Sequence, residues 1–320
     1  MTDVNGNQTP GTATQPATAP DPRARIRGSL LGLAVGDALG LPYEGAVPGS
    51  FTPVIGMAEG AGIWSDDTSM ALCLAESLVT CGGFDPADQA DRYVKWLNEG
   101  HLTPTGKAFG IGRTVLAALT RYQETGDPHA GPTDPGTAGN GCIMRLAPVP
   151  LFFSSTPAEA VYVAGESARI THGASAGVDA CRYLGALLVG AMHGVSKQHL
   201  LDAHFTPVTG LWEASPLCAP IDAVAGGSFK RKKASEIRAS AYVVESLEAA
   251  LWALLHSENF EEAVLRAVNL GYDTDTTAAI TGQLAGALYG EAAIPEAWLE
   301  RLEMKGRITA LADALTDAAP

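Results

Sequence analysis

Ser65-Asp66-Asp67-Thr68 and Asp273-Thr274-Asp275-Thr276 are two short runs of carboxylates and hydroxyls, roughly two hundred residues apart, and each opens a stretch with helical apolar spacing. Four unpaired carboxylates brought together repel strongly unless a multivalent cation lies between them. An all-oxygen ligand set selects hard ions such as Mg²⁺ or Mn²⁺ over Zn²⁺. Each run alone also reads as a helix cap, because Ser, Thr and Asp satisfy the free N–H groups of a first turn and suit the positive end of its dipole. The same composition ahead of a second apolar helix favours a shared ion site. An extended backbone through Asp273-Thr274-Asp275 would put both carboxylates on one side, and two facing helix starts would then supply six oxygens.

Three further places carry candidate chemistry. In Gly36-Asp37-Ala38-Leu39-Gly40-Leu41-Pro42-Tyr43-Glu44, Asp37 falls among apolar helical positions and is expected to be a buried, hydrogen-bonded structural acid. Glu44 follows Gly40 and Pro42, on a loop leaving the helix, where a carboxylate can reach into a site. Asn140-Gly141-Cys142 ends a Gly- and Pro-rich stretch from Gly126, expected to be too flexible for core, whose glycines let backbone approach a ligand such as phosphate. Thr171-His172 places a lone histidine just ahead of a helix, where a capping or packed role is the default. No histidine has H-E-x-x-H spacing, which weakens a zinc reading.

The elements that must position these residues read as helices. Leu30, Leu31, Ala34, Val35 and Ala38 follow three-and-four spacing, as do Met70, Leu74 and Leu78, and then Val178, Cys181, Leu184 and Leu188. Strand-like alternation is scarce. Gly282, Gly286 and Gly290 recur every four residues among alanines and would permit close helix contacts. The expectation is an all-α fold, one compact orthogonal helical bundle over residues 23–320 with the metal site at its centre. Residues 1–22, rich in Thr, Pro, Ala and Gly, are expected to form a disordered tail.

With 320 residues and 46% hydrophobic composition the chain can bury a sizeable core. A net charge of −14 argues against a nucleic-acid-binding face. Five cysteines without C-x-x-C spacing do not form a disulfide framework. The start lacks a signal-peptide pattern and no apolar run is long enough to span a bilayer, so the expectation is a soluble cytoplasmic protein without membrane contact. The Lys230-Arg231-Lys232-Lys233 run is read as a solvated surface loop.

Taken in order, Gly36-Asp37-Ala38-Leu39-Gly40 with Glu44, Ser65-Asp66-Asp67-Thr68, Gly139-Asn140-Gly141-Cys142-Ile143-Met144-Arg145, Thr171-His172 and Gly271-Tyr272-Asp273-Thr274-Asp275-Thr276 resemble the motifs of the ADP-ribosylglycohydrolases. The resemblance spans Ile26 to about Leu302. It implies an all-α bundle with two Mg²⁺ or Mn²⁺ ions, and hydrolysis at ribose C1″ of an ADP-ribosylated substrate, ADP-ribosylarginine on protein being the first choice and ADP-ribose the product. Ser65, Asp66 and Asp67 would bind one ion, Asp273 and Thr276 the other, with Asp275 between them. Glu44 and Asp67 would be catalytic, Glu44 as the mobile acid beside the scissile bond. Gly139, Asn140, Gly141 and Cys142 would cradle the diphosphate and distal ribose, with His172 on the nucleoside side. Two departures are Ser65 for a more frequent threonine, which keeps the hydroxyl, and Tyr272 where glycine is frequent, whose ring would narrow the pocket or stack on substrate. Two rival readings are an inactive ADP-ribose-binding member of the same fold and an all-α Mg²⁺-dependent diphosphate lyase or prenyl transferase. The latter fits poorly, since Asp66-Asp67-Thr68-Ser69 is followed by Met70 where such enzymes carry an acid.

Overall fold

A computed structural model describes residues 20–320. The tail expected over residues 1–22 lies outside the described residues up to Ala19. Its last residues belong to the fold: Asp21 caps the first helix by accepting the Ala24 N–H at 2.8 Å, and Pro22 occupies the first helical position, where a missing N–H costs nothing.

Among the described residues the protein is all-α, without strands. The helices are α1 (Pro22–Gly40), α2 (Asp66–Cys81), α3 (Pro86–Glu99), α4 (Arg113–Thr125), α5 (Pro148–Phe152), α6 (Pro157–Arg169), α7 (Ser175–Met192), α8 (Lys197–Leu200), α9 (Leu211–Ala214) and α10 (Ala219–Ala225). They continue with α11 (Val243–Leu255), α12 (Phe260–Val268), α13 (Thr274–Tyr289), α14 (Glu296–Arg301) and α15 (Lys305–Ala318). Left-handed glycines at Gly82, Gly100 and Gly126 end α2, α3 and α4. No described helix is long and apolar enough to cross a membrane.

The centre of the bundle is the antiparallel pair α1 and α13, both buried almost all round. Glycines every four residues along α1 meet the backbone of α13 directly. A Cβ added at Gly28, Gly32 or Gly36 would fall 2.4, 2.3 and 2.2 Å from the carbonyl oxygens of Gly286, Gly282 and Ala278, and one at Gly40 would fall 2.5 Å from the Asp275 Cα. The close contact foreseen for Gly282 and Gly286 therefore forms, and its partner stripe is Gly28, Gly32, Gly36 and Gly40. This backbone-to-backbone packing carries the end of α1, with Asp37, against the start of α13, with Asp275. α2 packs on α1, α3 and α15, while α11 and α12 cover α13.

Candidate active site

Asp37 is fully buried in the last turn of α1. Its carboxylate accepts the Ser65 N–H at 2.9 and 3.0 Å, the Thr68 N–H at 3.0 Å and the Thr68 hydroxyl at 2.7 Å. An α1 residue thus caps α2, a task expected of the Ser65–Thr68 run itself. Ser65 Oγ is left to donate to Asp67 Oδ2 at 3.0 Å. One carboxylate oxygen each from Asp37, Asp67 and Asp275 lies within 4.8 Å of the other two. The extended backbone expected through residues 273–275 does not form: Asp273 is the N-cap of α13, and the helix already runs through Thr274 and Asp275. Both acids still face the site because they sit on its first turn.

Acids are crowded here without a basic partner. Among the described residues no Lys, Arg or His makes an ion pair with Asp37, Asp66, Asp67, Asp273 or Asp275. Burial, followed by the charge of Asp37, pushes Asp66 up to about 8. Burial and then the neighbouring acids raise Asp67 and Asp275 well above the ordinary carboxylate range. Asp37 rises less, to about 6, because the hydrogen bonds from Thr68 and Ser65 oppose its burial. Asp67 Oδ1 is buried with no hydrogen-bond partner. Crowded carboxylates, a bare oxygen and adjacent hydroxyls form a donor set that fits a hard dication.

The acids open onto a cleft of about 890 Å³. Glu44, Asp66, Asp273, Asp275 and Thr276 line it, as do Gly139, Asn140, Gly141, His172 and Tyr272. Ser65 and Asp67 are buried behind that wall. Glu44 stands exposed at the mouth; partial desolvation and then the charge of Asp273 raise its pKa. Its loop is tied to the start of α13 by two backbone hydrogen bonds of 2.7 Å, Gly45 N–H to the Tyr272 carbonyl and Tyr272 N–H to the Ala46 carbonyl.

The glycine loop is pinned, against the flexibility expected of residues 126–141. The Gly131 N–H donates to the Arg169 carbonyl, and the Gly173 N–H to that of Pro132. Gly139 forms an antiparallel bridge with Tyr242, and the Asn140 N–H donates to the Ala241 carbonyl. The Asn140 side chain donates to Asp273 Oδ2 at 2.7 Å and to Ser246 Oγ at 2.9 Å, so it orients an acid of the cluster. The Cys142 thiol is buried against the carbonyls of Gly177 and Gly139, away from the cleft. Of this segment Gly139, Asn140 and Gly141 line the cleft, and the Gly141 N–H makes no backbone hydrogen bond among the described residues.

Behind the loop, buried Arg145 donates to the Gly141 carbonyl at 2.9 Å and to Thr171 Oγ1 at 2.7 Å, with its guanidinium 4.6 Å from the Tyr93 ring centre. Thr171 Oγ1 lies 2.9 Å from His172 Nδ1. Arg145 can only donate, and among the described residues Nδ1 is the one acceptor within reach of the Thr171 hydroxyl, so that hydroxyl gives its proton to Nδ1 and the imidazole proton resides on Nε2. Burial and then the charge of Arg145 hold His172 near about 3, so it is a neutral N–H donor at the cleft and not a proton carrier. A Cβ at Gly139 or Gly141 would come within 3.3 and 3.0 Å of this ring. Sequence reasoning missed the opposite wall: Gly112, Arg113 and Thr114 at the start of α4, and Arg238, Ser240 and Tyr242 ahead of α11. The one legible signal was Gly110-Ile111-Gly112, closely spaced glycines before a helix; a Cβ on Gly110 would strike Asp66 Oδ1 at 2.4 Å.

The chain and its fold are similar to known proteins. A family model described as ADP-ribosylglycohydrolase matches residues 18–320. The chain is 38% identical to the ADP-ribosylarginine hydrolase Tri1 of Serratia proteamaculans, over 96% of this chain and 83% of that one. It is 31% identical to the ADP-ribosyl-[dinitrogen reductase] glycohydrolase of Rhodospirillum rubrum, over 90% and 93% respectively. A solved structure of an ADP-ribosylglycohydrolase-related protein complex superposes with a TM-score of 0.80 at 40% identity, covering 94% of this chain and 99% of that one.

Proposed function

Because the chain belongs to the ADP-ribosylglycohydrolase family and is thus a glycosidic-bond hydrolase, we propose that it releases ADP-ribose from ADP-ribosylarginine on proteins by cleavage at ribose C1″, with two Mg²⁺ or Mn²⁺ ions bound. The observation that carries this reading is the set of unpaired buried acids from α1, α2 and α13 at the floor of a cleft whose opposite wall is glycine-rich backbone. Ser65, Asp66, Asp67, Asp273, Asp275 and Thr276 would hold the ions. When bound, dications neutralise the acids, orient ribose hydroxyls and lower the pKa of a water.

The chain's own groups would do the rest. Glu44, at the mouth beside Asp273, moves a proton to the leaving nitrogen or from the attacking water as positive charge develops at C1″. Its raised pKa brings it closer to a working acid–base range. The start of α4 and the Gly141 N–H receive the diphosphate, which lets a chain of net charge −14 bind an anion without a basic face. Arg113 and Arg238 add charge at the same walls. His172 Nε2–H donates to the ligand while remaining neutral. Arginine as the acceptor is supported by the likeness to the Serratia ADP-ribosylarginine hydrolase.

The test offers peptides ADP-ribosylated on arginine or on serine, and O-acetyl-ADP-ribose, with Mg²⁺, Mn²⁺ or chelator, and measures free ADP-ribose. Metal-dependent release from the arginine conjugate is expected. Release from the serine conjugate alone, or turnover unaffected by chelator, refutes the reading.

A further inference from the structure

Tyr272 has φ +59°, the left-handed region that bulky side chains rarely adopt. Its two backbone hydrogen bonds to Gly45 and Ala46 impose that conformation whatever the side chain, so glycine would fit without strain. Other non-glycine residues held at positive φ have a visible return: Leu102 buries its side chain, and the His204 ring bonds Asp222 at 3.0 Å. Tyr272 has neither. It is 41% exposed, and among the described residues no aromatic ring or hydrogen-bond partner engages its side chain. It nevertheless lines the cleft, bonded to Asp273 and hydrogen-bonded to the residue that follows Glu44.

We propose that Tyr272 is a specificity-determining residue whose ring stacks on the planar guanidinium of the departing arginine. This rests on the reading of the site given above. A guanidinium is flat, weakly hydrated and permanently cationic, so an exposed ring beside Glu44 and Asp273 offers it a face and a negative surrounding at once. A serine hydroxyl presents no such plane. The ring would act on binding of the conjugate and not on free ADP-ribose.

The experiment measures kcat and KM on arginine- and serine-ADP-ribosylated peptides, and calorimetric affinity for ADP-ribose, for the parent, Tyr272→Phe, Tyr272→Leu and Tyr272→Gly. Tyr272→Phe should stay within about twofold of the parent. Tyr272→Leu and Tyr272→Gly should raise KM for the arginine peptide by about threefold to thirtyfold, the range of a ring–guanidinium contact, leaving ADP-ribose affinity and any serine-peptide KM unchanged. Tyr272→Gly suits the backbone, so its loss cannot be laid to misfolding; its melting temperature should not fall. An unchanged arginine-peptide KM in both ringless variants overturns the assignment while the proposed function stands. Equal losses on every ligand, ADP-ribose included, overturn it in favour of a merely structural role. A parent inert toward the arginine peptide removes the proposed function and this assignment together.

Discussion

Replacing Gly36 by alanine should break the site from behind, without touching any candidate ligand. The new Cβ would lie 2.2 Å from the Ala278 carbonyl oxygen, 2.5 Å from its carbon and 2.8 Å from Ala279 N. All three are backbone atoms of α13, so none can rotate away. Against an ordinary contact of 3.4 Å, α1 must retreat by about 1.2 Å. Overpacking of this kind costs about 1–3 kcal/mol, and the rigid partner puts it at the upper end. Better helix propensity returns about 1 kcal/mol, leaving roughly 2 kcal/mol, or a fall of roughly 4 °C in Tm. The larger effect is on the acids. Asp37 is the next residue, and its hold on the start of α2 sets Asp67 against Asp275. Ligand positions tolerate about 0.2 Å, so Mn²⁺ affinity should drop about 10–100-fold, as when a supporting residue is lost. Gly282→Ala is the control: its Cβ would strike the Gly32 oxygen at 2.0 Å, but it sits seven residues beyond Asp275, about 10 Å along the helix. It should lose similar stability with Mn²⁺ affinity within about threefold of the parent. Thermal melts and Mn²⁺ titration calorimetry read both. If Gly36→Ala keeps the parental Tm and Mn²⁺ affinity, or the two variants weaken Mn²⁺ binding equally, the reasoning from helix contact to site geometry is wrong.

Glu44→Gln should lower kcat on an ADP-ribosylarginine peptide about a hundredfold or more, with metal content and ADP-ribose affinity unchanged; joint loss of activity and metal would make Glu44 a ligand instead. Asp66→Asn and Asp275→Asn should each remove most activity and bound metal, measured by elemental analysis, and parental metal content with full turnover would sink the ion-site reading. In chelator, the raised folded-state pKa of Asp66, about 8, and those of Asp67 and Asp275 contribute stability that is present below the unfolded carboxylate value and lost as pH rises through the folded one. His172, at about 3, acts oppositely but only below its unfolded value of about 6.5. Between about pH 6.5 and 8 the metal-free Tm should therefore fall, and saturating Mg²⁺ or Mn²⁺ should remove the slope; a flat metal-free profile contradicts the charge crowding.

Several features were legible in the residues alone because they are local. A helix start is written within a few positions, so Ser65–Thr68 and Asp273–Thr276 could be read as acids opening apolar helices, and their chemistry asked for a cation. Glycines at 282 and 286 announced a close helix contact, and Gly40 with Pro42 put Glu44 on a loop. Other features depend on chain segments that meet only after packing. That Asp37 caps α2 needs the ends of two helices side by side, and the Asn140 side chain finds Asp273 across 133 positions. Arg113, Arg238 and Tyr242 carry no local mark as cleft residues; the bridge between Gly139 and Tyr242 brings the last two there. That the Cys142 thiol turns away from the cleft is likewise a tertiary fact, because a loop's sequence does not say which side faces inward. The sequence by itself determined the helical class, the helices around the site and the acid inventory, since helical spacing and carboxylate chemistry are properties of neighbouring residues; α3 and α15 were not read from it. The tertiary structure alone decided which acids share a centre, because that depends on α1 and α13 closing to backbone contact along their glycines in the register that sets Gly36 against Ala278 and Gly40 against Asp275.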